Sequence, residues 1–281
     1  MKISNILKKK RSLSFEFFPP KTRGDFTVFI STLKELKKFK PDFVSITDSD
    51  ICGKTKHIAL SRILKEKLKL NVLIHLTCVN NTEKEIEYSL RAIKKIGLDN
   101  ILALRGDKRN FTRTTKSFIH STDLIKRIDK NLFSIGIAMH PEGHHRGSLE
   151  RDIYYIKKKI EAGAEFGITQ LFFDNSSFFR FRDRVKKAYP NIPIICGIMP
   201  VTNYNMLSNI CKKISCITIP EKLRDIALKY RDKRDEFFKH SIDFSINQVK
   251  ELIKNDIEGI HFFTFNRALG TKKIIENIKL I

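Results

Sequence analysis

Short apolar runs alternate with helical patterns along nearly the whole chain, and this alternation constrains the fold more than any other feature. The runs are Leu13–Phe18, Asp42–Thr47, Val72–Cys78, Asn100–Leu104, Phe133–Met139, Gly167–Phe173, Ile192–Met199 and Gly259–Phe265. Helical patterns stand near Asp25–Lys38, His57–Leu70, Thr122–Asp129 and Phe178–Ala188, over Glu150–Ala162, and after Asn81 and Leu269. Thr82 is placed to cap one of them, with Glu85 three positions on. The runs are apolar without interruption, as parallel strands buried on both faces are. Eight such units in 281 residues predict an α/β fold, a (β/α)8 TIM barrel forming one domain over 1–281. The polar stretch Ile214–Asp256 predicts extra helices between the last two strands. An open doubly wound sheet is the alternative, but no Gly-x-Gly-x-x-Gly follows any strand.

Composition narrows the partners. Hydrophobic residues are 41% of the chain, enough for a core of this size, and no run reaches membrane-spanning length. Met1–Arg11 is basic but lacks the apolar segment of a signal peptide, so a cytoplasmic location is expected. The net charge of +23, from 54 Lys and Arg against 31 Asp and Glu, raises nucleic acid as a partner. The lysines are spread over helical faces, as at Lys34, Lys37, Lys38 and Lys157–Lys159, and only Lys8-Lys9-Lys10-Arg11 reads as a tail. Small-molecule substrates are therefore expected, and neither nucleic acid nor a membrane. The five cysteines, Cys52, Cys78, Cys196, Cys211 and Cys216, form no Cys-x-x-Cys pair, which disfavours a disulfide framework or a structural zinc site. Cys78 and Cys196 read as core thiols.

A barrel carries its site at the C-terminal ends of its strands. Those ends hold Glu16, Thr47, His75 with Thr77, Arg105-Gly106-Asp107, His140 to His144, Gln170, Pro200 and Asn266-Arg267. Glu16 is a single carboxylate inside an apolar run closed by Pro19 and Pro20. Strand alternation sets it opposite Phe15 and Phe17, facing a cleft or the barrel lumen. Two readings stand: a partner for a distant Lys or Arg, or a general acid whose apolar surroundings favour its proton. Asp107 adds a carboxylate from another strand, so that the two divide acid and ionised roles, or it simply pairs with Arg105. The loop His140-Pro141-Glu142-Gly143-His144-His145 matches no zinc spacing, and no metal is expected. A metal-dependent barrel hydrolase is the alternative function, and a basic nucleic-acid-binding protein a third.

Five stretches, taken in order, carry a family resemblance. They are Ser14-Phe15-Glu16-Phe17-Phe18-Pro19-Pro20, His75-Leu76-Thr77-Cys78, Leu104-Arg105-Gly106-Asp107, Thr169-Gln170-Leu171-Phe172-Phe173-Asp174 and His261-Phe262-Phe263-Thr264-Phe265-Asn266-Arg267. Their order and spacing resemble the methylenetetrahydrofolate reductases, in the short bacterial form, from about Ser12 to the C-terminus. The resemblance implies a barrel that binds FAD, takes hydride from NADH and reduces 5,10-methylenetetrahydrofolate to 5-methyltetrahydrofolate for methionine biosynthesis. It implies catalytic roles for Glu16, as general acid, and Asp107, near flavin and pterin. It implies cofactor contacts at Thr47, Asp48, His75, Arg105, Gly106, Asp107, Ser121, His140, His144, Asp152, Tyr155, Lys158 and Lys159. Substrate contacts are implied at Gln170, Arg267, Phe263 and Met206, and a homo-oligomer as the assembly. The chain departs from the family where Asp48-Ser49-Asp50 replaces Tyr-Gly-Ala, where His140 replaces Tyr, and where Ile210 replaces Phe. These departures predict altered flavin contacts and weaker flavin affinity.

Overall fold

The computed structural model describes residues 1–48, 56–106, 118–144, 148–214 and 216–279. Its strands are β1 (Ser12–Phe17), β2 (Phe43–Ile46), β3 (Val72–Thr77), β4 (Asn100–Leu104), β5 (Ser134–Met139), β6 (Phe166–Thr169), β7 (Ile194–Ile198) and β8 (Gly259–Phe263). They pair in parallel in sequence order, and β8 closes on β1. The expected (β/α)8 barrel is the fold observed. The intervening helices are α2 (Arg23–Lys37), α3 (Lys56–Leu68), α4 (Glu83–Lys95), α5 (Ser121–Arg127), α6 (Leu149–Ala162) and α7 (Asn175–Ala188), and α11 (Leu269–Ile275) closes the set. The Thr82–Glu85 capping box starts α4 as the sequence predicts.

Alternation along the strands sorts two sets of side chains. Leu13, Phe15, Phe17, Val44, Ile46, Val72, Ile74, Ile101, Ile135, Ile137, Ile194, Ile198, Ile260 and Phe262 belong to the core shared with the helices. The opposite parity, in register around the barrel, gives Ser14, Phe43, Leu73, Leu102, Phe166 and Ile195 in the lower lumen. One step higher come Glu16, Ser45, His75, His261 and Phe263. The lumen is thus mainly apolar below and carries its ionisable side chains above, at the C-terminal end of the strands.

Several boundaries differ from the sequence reading. Before β1, Ile3–Leu7 forms a helix, α1, where the sequence suggested only a basic start. Ile3 and Leu7 pack into the lower lumen against Phe43, Leu73, Leu102 and Phe166. Lys8–Arg11 is no free tail: Lys10 pairs with Asp42 at 2.5 Å, and Arg11 donates to the carbonyls of Ile257 and Ile253. β6 stops at Thr169 rather than Phe173, because Asp174 caps α7 and Leu171 and Phe173 turn into a second apolar cluster. β8 stops at Phe263, because Phe265 and Asn266 take positive φ values of 51° and 56°. The expected extra helices are α8 (Tyr204–Lys213), α9 (Glu221–Lys229) and the 21-residue α10 (Arg234–Lys254). They bury that second cluster, which includes Met199, Leu207, Leu223 and Phe237, beside the barrel. Among the described residues, no helix is long and apolar enough to cross a membrane.

Candidate active site

Glu16 stands in the upper lumen, 8% exposed. Its Oε2 lies 3.6 Å from His75 Nε2 and 3.6 Å from His261 Nε2. Among the described residues no Lys or Arg reaches it, so the ion-pair reading of this carboxylate gives way to an acid–imidazole cluster. Both contacts exceed hydrogen-bond reach, and His75 Nε2 is buried without a hydrogen-bond partner. Burial pushes the His75 imidazole down to about 4, although Glu16 pulls the other way. His75 is therefore neutral at pH 7, and its approach to Glu16 is not a salt bridge there. His261 is fixed on both ring nitrogens, with Nδ1 2.8 Å from Ser14 Oγ and Nε2 3.3 Å from Ser45 Oγ. The backbone of Glu16 is pinned by the Thr264 hydroxyl, which donates to its carbonyl at 2.6 Å. The result is a carboxyl group on a pinned backbone, shielded from water, with two imidazoles near it and no Lys or Arg among the described residues: an arrangement suited to handing a proton to a bound ligand.

A second acid–imidazole pair stands beside the first. Asp48, just past β2, accepts from the Thr77 N–H at 3.0 Å and the Thr77 hydroxyl at 2.6 Å. Its other oxygen faces His57 Nδ1 at 3.7 Å. Burial lowers the pKa of His57 and Asp48 opposes the shift, while His57 Nε2 is buried without a partner. Between the two pairs is Thr47, whose N–H donates to the Phe17 carbonyl at 3.1 Å and whose hydroxyl is buried without a partner. Sequence reasoning assigned no role to His57, nor to His261 and Ser14 within their motifs. For His261 the signal was its parity, since it shares the inward face of β8 with Phe263.

A cationic group is formed by Lys159 of α6 and Arg105, just after β4, which are near enough to act on each other electrostatically. Burial lowers the pKa of Lys159; Asp152 opposes this and Arg105 adds to it. Asp152 accepts from the His144 N–H at 2.8 Å, and its own pKa is raised by burial. Gly106 has φ of 93°, and a Cβ there would meet Val79 Cγ1 at 2.3 Å, so the turn after Arg105 requires glycine. His140 and His144 meet edge-on, with ring centroids 4.6 Å apart. Ser121 is buried at the start of α5, and Tyr155 stacks on His120 at 5.7 Å. Lys158, next to Lys159 in sequence, is turned elsewhere: it lies over the Tyr154 ring and 3.6 Å from Glu161. Asp107 lies outside the described residues, as do Ser49, Asp50, Cys52 and His145. Among the described residues, no group of three or more His, Cys, Asp or Glu has the arrangement of a metal site.

The remaining candidates occupy the β6–β8 side. The Gln170 N–H donates to the Met139 carbonyl at 2.7 Å, and its side-chain oxygen accepts from the Leu171 N–H at 2.9 Å. Phe263 packs edge-on against His261 at 5.5 Å. That ring fits because residue 197 is glycine: a Cβ there would meet the Thr169 carbonyl at 2.2 Å and the Phe263 ring at 2.6 Å. Met206 sits in the first turn of α8, its N–H held by the Asn203 cap, and packs against the second cluster. Ile210 is buried in that same cluster. Arg267 is exposed at the rim.

The family model described as Methylenetetrahydrofolate reductase matches residues 2–279. The 5,10-methylenetetrahydrofolate reductase of Buchnera aphidicola is 33% identical over 277 residues, covering 96% of this chain and 92% of its own. Methylenetetrahydrofolate reductase 1 of Schizosaccharomyces pombe is 30% identical over 100% of this chain, which spans only 49% of that relative. The chain thus covers about half the length of some relatives and nearly all of others. A solved Clostridium thermocellum protein, described as binding two copies of 5-methyl-5,6,7,8-tetrahydrofolic acid, shares the fold with a TM-score of 0.70. That protein is 16% identical, and the match covers 99% of this chain and 97% of the other.

Proposed function

The chain belongs to the methylenetetrahydrofolate reductase family, and from that premise we propose that it reduces 5,10-methylenetetrahydrofolate to 5-methyltetrahydrofolate, with FAD as cofactor and NADH as hydride source. The whole chain acts as one catalytic barrel domain, in the cytoplasm, as a homo-oligomer, and supplies methyl groups for methionine synthesis. The observation that carries this reading is Glu16: a carboxyl group buried at the polar end of the lumen, facing two imidazoles and, among the described residues, no Lys or Arg.

The polar atoms at the mouth fit a flavin. The buried hydroxyl of Thr47 and Nε2 of His75 lack partners that a polar ring edge can supply. Arg105, Gly106 and Lys159 suit a diphosphate, with a bare turn beside two cations. Asp48, Ser121, His140, His144, Asp152 and Tyr155 complete the cofactor side, Asp152 suiting ribityl or ribose hydroxyls. FAD, when bound, would carry hydride from NADH to the folate.

The chain's own residues do the rest. Glu16 protonates the folate ring nitrogen as the five-membered ring opens, so that the one-carbon unit becomes an electrophile ready for hydride. Neutral His75 forms no ion pair with Glu16, which leaves the carboxyl group to the ligand. Asp107 is the carboxylate that the family resemblance assigns to the pterin donors. Gln170 offers both a donor and an acceptor. Arg267, exposed at the rim, suits the acidic tail of the folate, and Phe263 and Met206 supply apolar walls.

The reading is tested by the spectrum of the purified protein. A yellow flavin that heat releases and that co-migrates with FAD is expected, along with bleaching by NADH without oxygen. A colourless protein that takes up no added FAD would overturn the reading.

A further inference from the structure

The last β2–β3 backbone pair is Ile46 with Ile74. Beyond it the two strand ends are joined by a side chain instead. One Asp48 oxygen accepts both the N–H and the hydroxyl of Thr77, and the other faces His57 at the start of α3. This carboxylate is 10% exposed and the His57 side chain 4%, so the clamp is shielded from water. The residue before Asp48 is Thr47, held on its other side by the Phe17 carbonyl of β1. Two positions before Thr77 is His75. Both Thr47 and His75 present buried polar atoms without partners to the mouth.

We propose that Asp48 is a positioning residue: by clamping Thr77 to the end of β2 and bracing against His57, it fixes how Thr47 and His75 face the ligand. The inference deepens the proposed function, because it rests on Thr47 and His75 lying on the flavin side. It also reinterprets a departure noted in the sequence. An aspartate in place of tyrosine predicted altered flavin contacts. Here one oxygen accepts twice from Thr77 and the other faces His57 at 3.7 Å, so the carboxylate serves the protein's own frame.

Asp48→Ala removes the clamp. Asp48→Asn keeps an acceptor for Thr77 without the charge, and Thr77→Val removes one donor while keeping the shape. In the flavin-free protein, exchange of the Thr77 amide proton is expected to quicken about tenfold or more in Asp48→Ala and to stay near wild type in Asp48→Asn. Titration with FAD is expected to show affinity weaker by about tenfold in Asp48→Ala and about threefold in Thr77→Val, with Asp48→Asn restored to within about threefold of wild type. Restoration by Asn marks positioning rather than general loss of structure. An unprotected Thr77 amide in wild type would overturn the proposal. So would Asp48→Ala that binds FAD as wild type does, or Asp48→Asn as impaired as Asp48→Ala. A protected Thr77 amide that Asp48→Ala releases, in a protein that takes up no FAD, supports the clamp and overturns only the cofactor reading.

Discussion

At the lower end of the barrel Asn100 and Ser134 are buried, and each accepts a hydrogen bond from α1: Ile3 N–H to Asn100 Oδ1 at 2.7 Å, and Ser4 N–H to Ser134 Oγ at 3.3 Å. Asn100 also donates to the Met1 carbonyl and to Asn71 Oδ1. At the upper end Thr47, His57 and His75 bury polar atoms that have no partner. Both ends belong to one barrel and both exclude water, so solvent does not account for the difference. A buried polar atom left unpaired costs about 1–3 kcal/mol. The lower end avoids that penalty with its own chain at Asn100 and Ser134, though Ser12 Oγ and Glu258 Oε2 there also lack a partner. The upper end carries it at several adjoining positions, which is how a site waiting for polar ligands is built.

The sharpest test of the upper end is Glu16→Gln, which keeps the shape and removes the proton. Reoxidation of reduced flavin by methylenetetrahydrofolate is expected to slow by on the order of 10² or more, while flavin reduction by NADH stays within about tenfold of wild type. Rapid-mixing absorbance reads each half separately. Equal slowing of both halves would make Glu16 a structural carboxyl group and erase the contrast between the two ends.

Acid addresses the same contrast through His75. Its folded pKa is depressed to about 4 from an ordinary 6.5, so the folded state resists a proton that the unfolded chain accepts. Its contribution to stability is complete above pH 6.5 and is lost as pH falls from there toward 4. The full loss is on the order of 3 kcal/mol. Urea unfolding of the flavin-free protein between pH 7 and pH 5 is expected to show this limb, and His75→Gln to flatten it. An equally steep limb in the variant would mean that the upper end is not where acid acts.

Gln170→Ala is expected to weaken folate binding by about tenfold, the loss of one or two hydrogen bonds, and to alter NADH use as well. Steady-state kinetics with each substrate checks this. Unchanged constants for both would remove Gln170 from the upper-end site.

The barrel was legible because its outward side chains are aliphatic or aromatic along nearly every strand, from Phe15 to Phe262. Strand ends were harder to read. Leu171, Phe173 and Phe265 continue the apolar pattern past β6 and β8, and hydropathy does not distinguish a strand residue from one that turns into a neighbouring cluster or onto the surface. Helix α1 was not legible at all. Five residues followed by lysines read as a basic start, and the purpose of Ile3 and Leu7 exists only once a closed barrel offers them a lumen. In the site, Glu16 was conspicuous as a carboxylate among phenylalanines. His57 was not, since nothing in the sequence ties a histidine opening a helix to Asp48, which entered only as an implied cofactor contact. Lys158 and Lys159 were indistinguishable in sequence, although about 100° of helix turn separates neighbouring residues: Lys159 lies within electrostatic reach of Asp152 and Arg105, while Lys158 turns to Tyr154 and Glu161.

The most direct measurement pairs one substitution from each end, Thr47→Val above and Asn100→Leu below, each close to the size of the residue it replaces, and compares their denaturant midpoints in the flavin-free protein. Asn100→Leu strands the Ile3 N–H and is expected to destabilise by about 1–3 kcal/mol. Thr47→Val removes a hydroxyl that has no partner, and is expected to leave stability unchanged or raise it by up to about 1 kcal/mol while weakening FAD binding. If Thr47→Val destabilised the flavin-free protein as much as Asn100→Leu, the upper end would be ordinary structure like the lower, and the claim that its polar atoms are held for a ligand would be wrong.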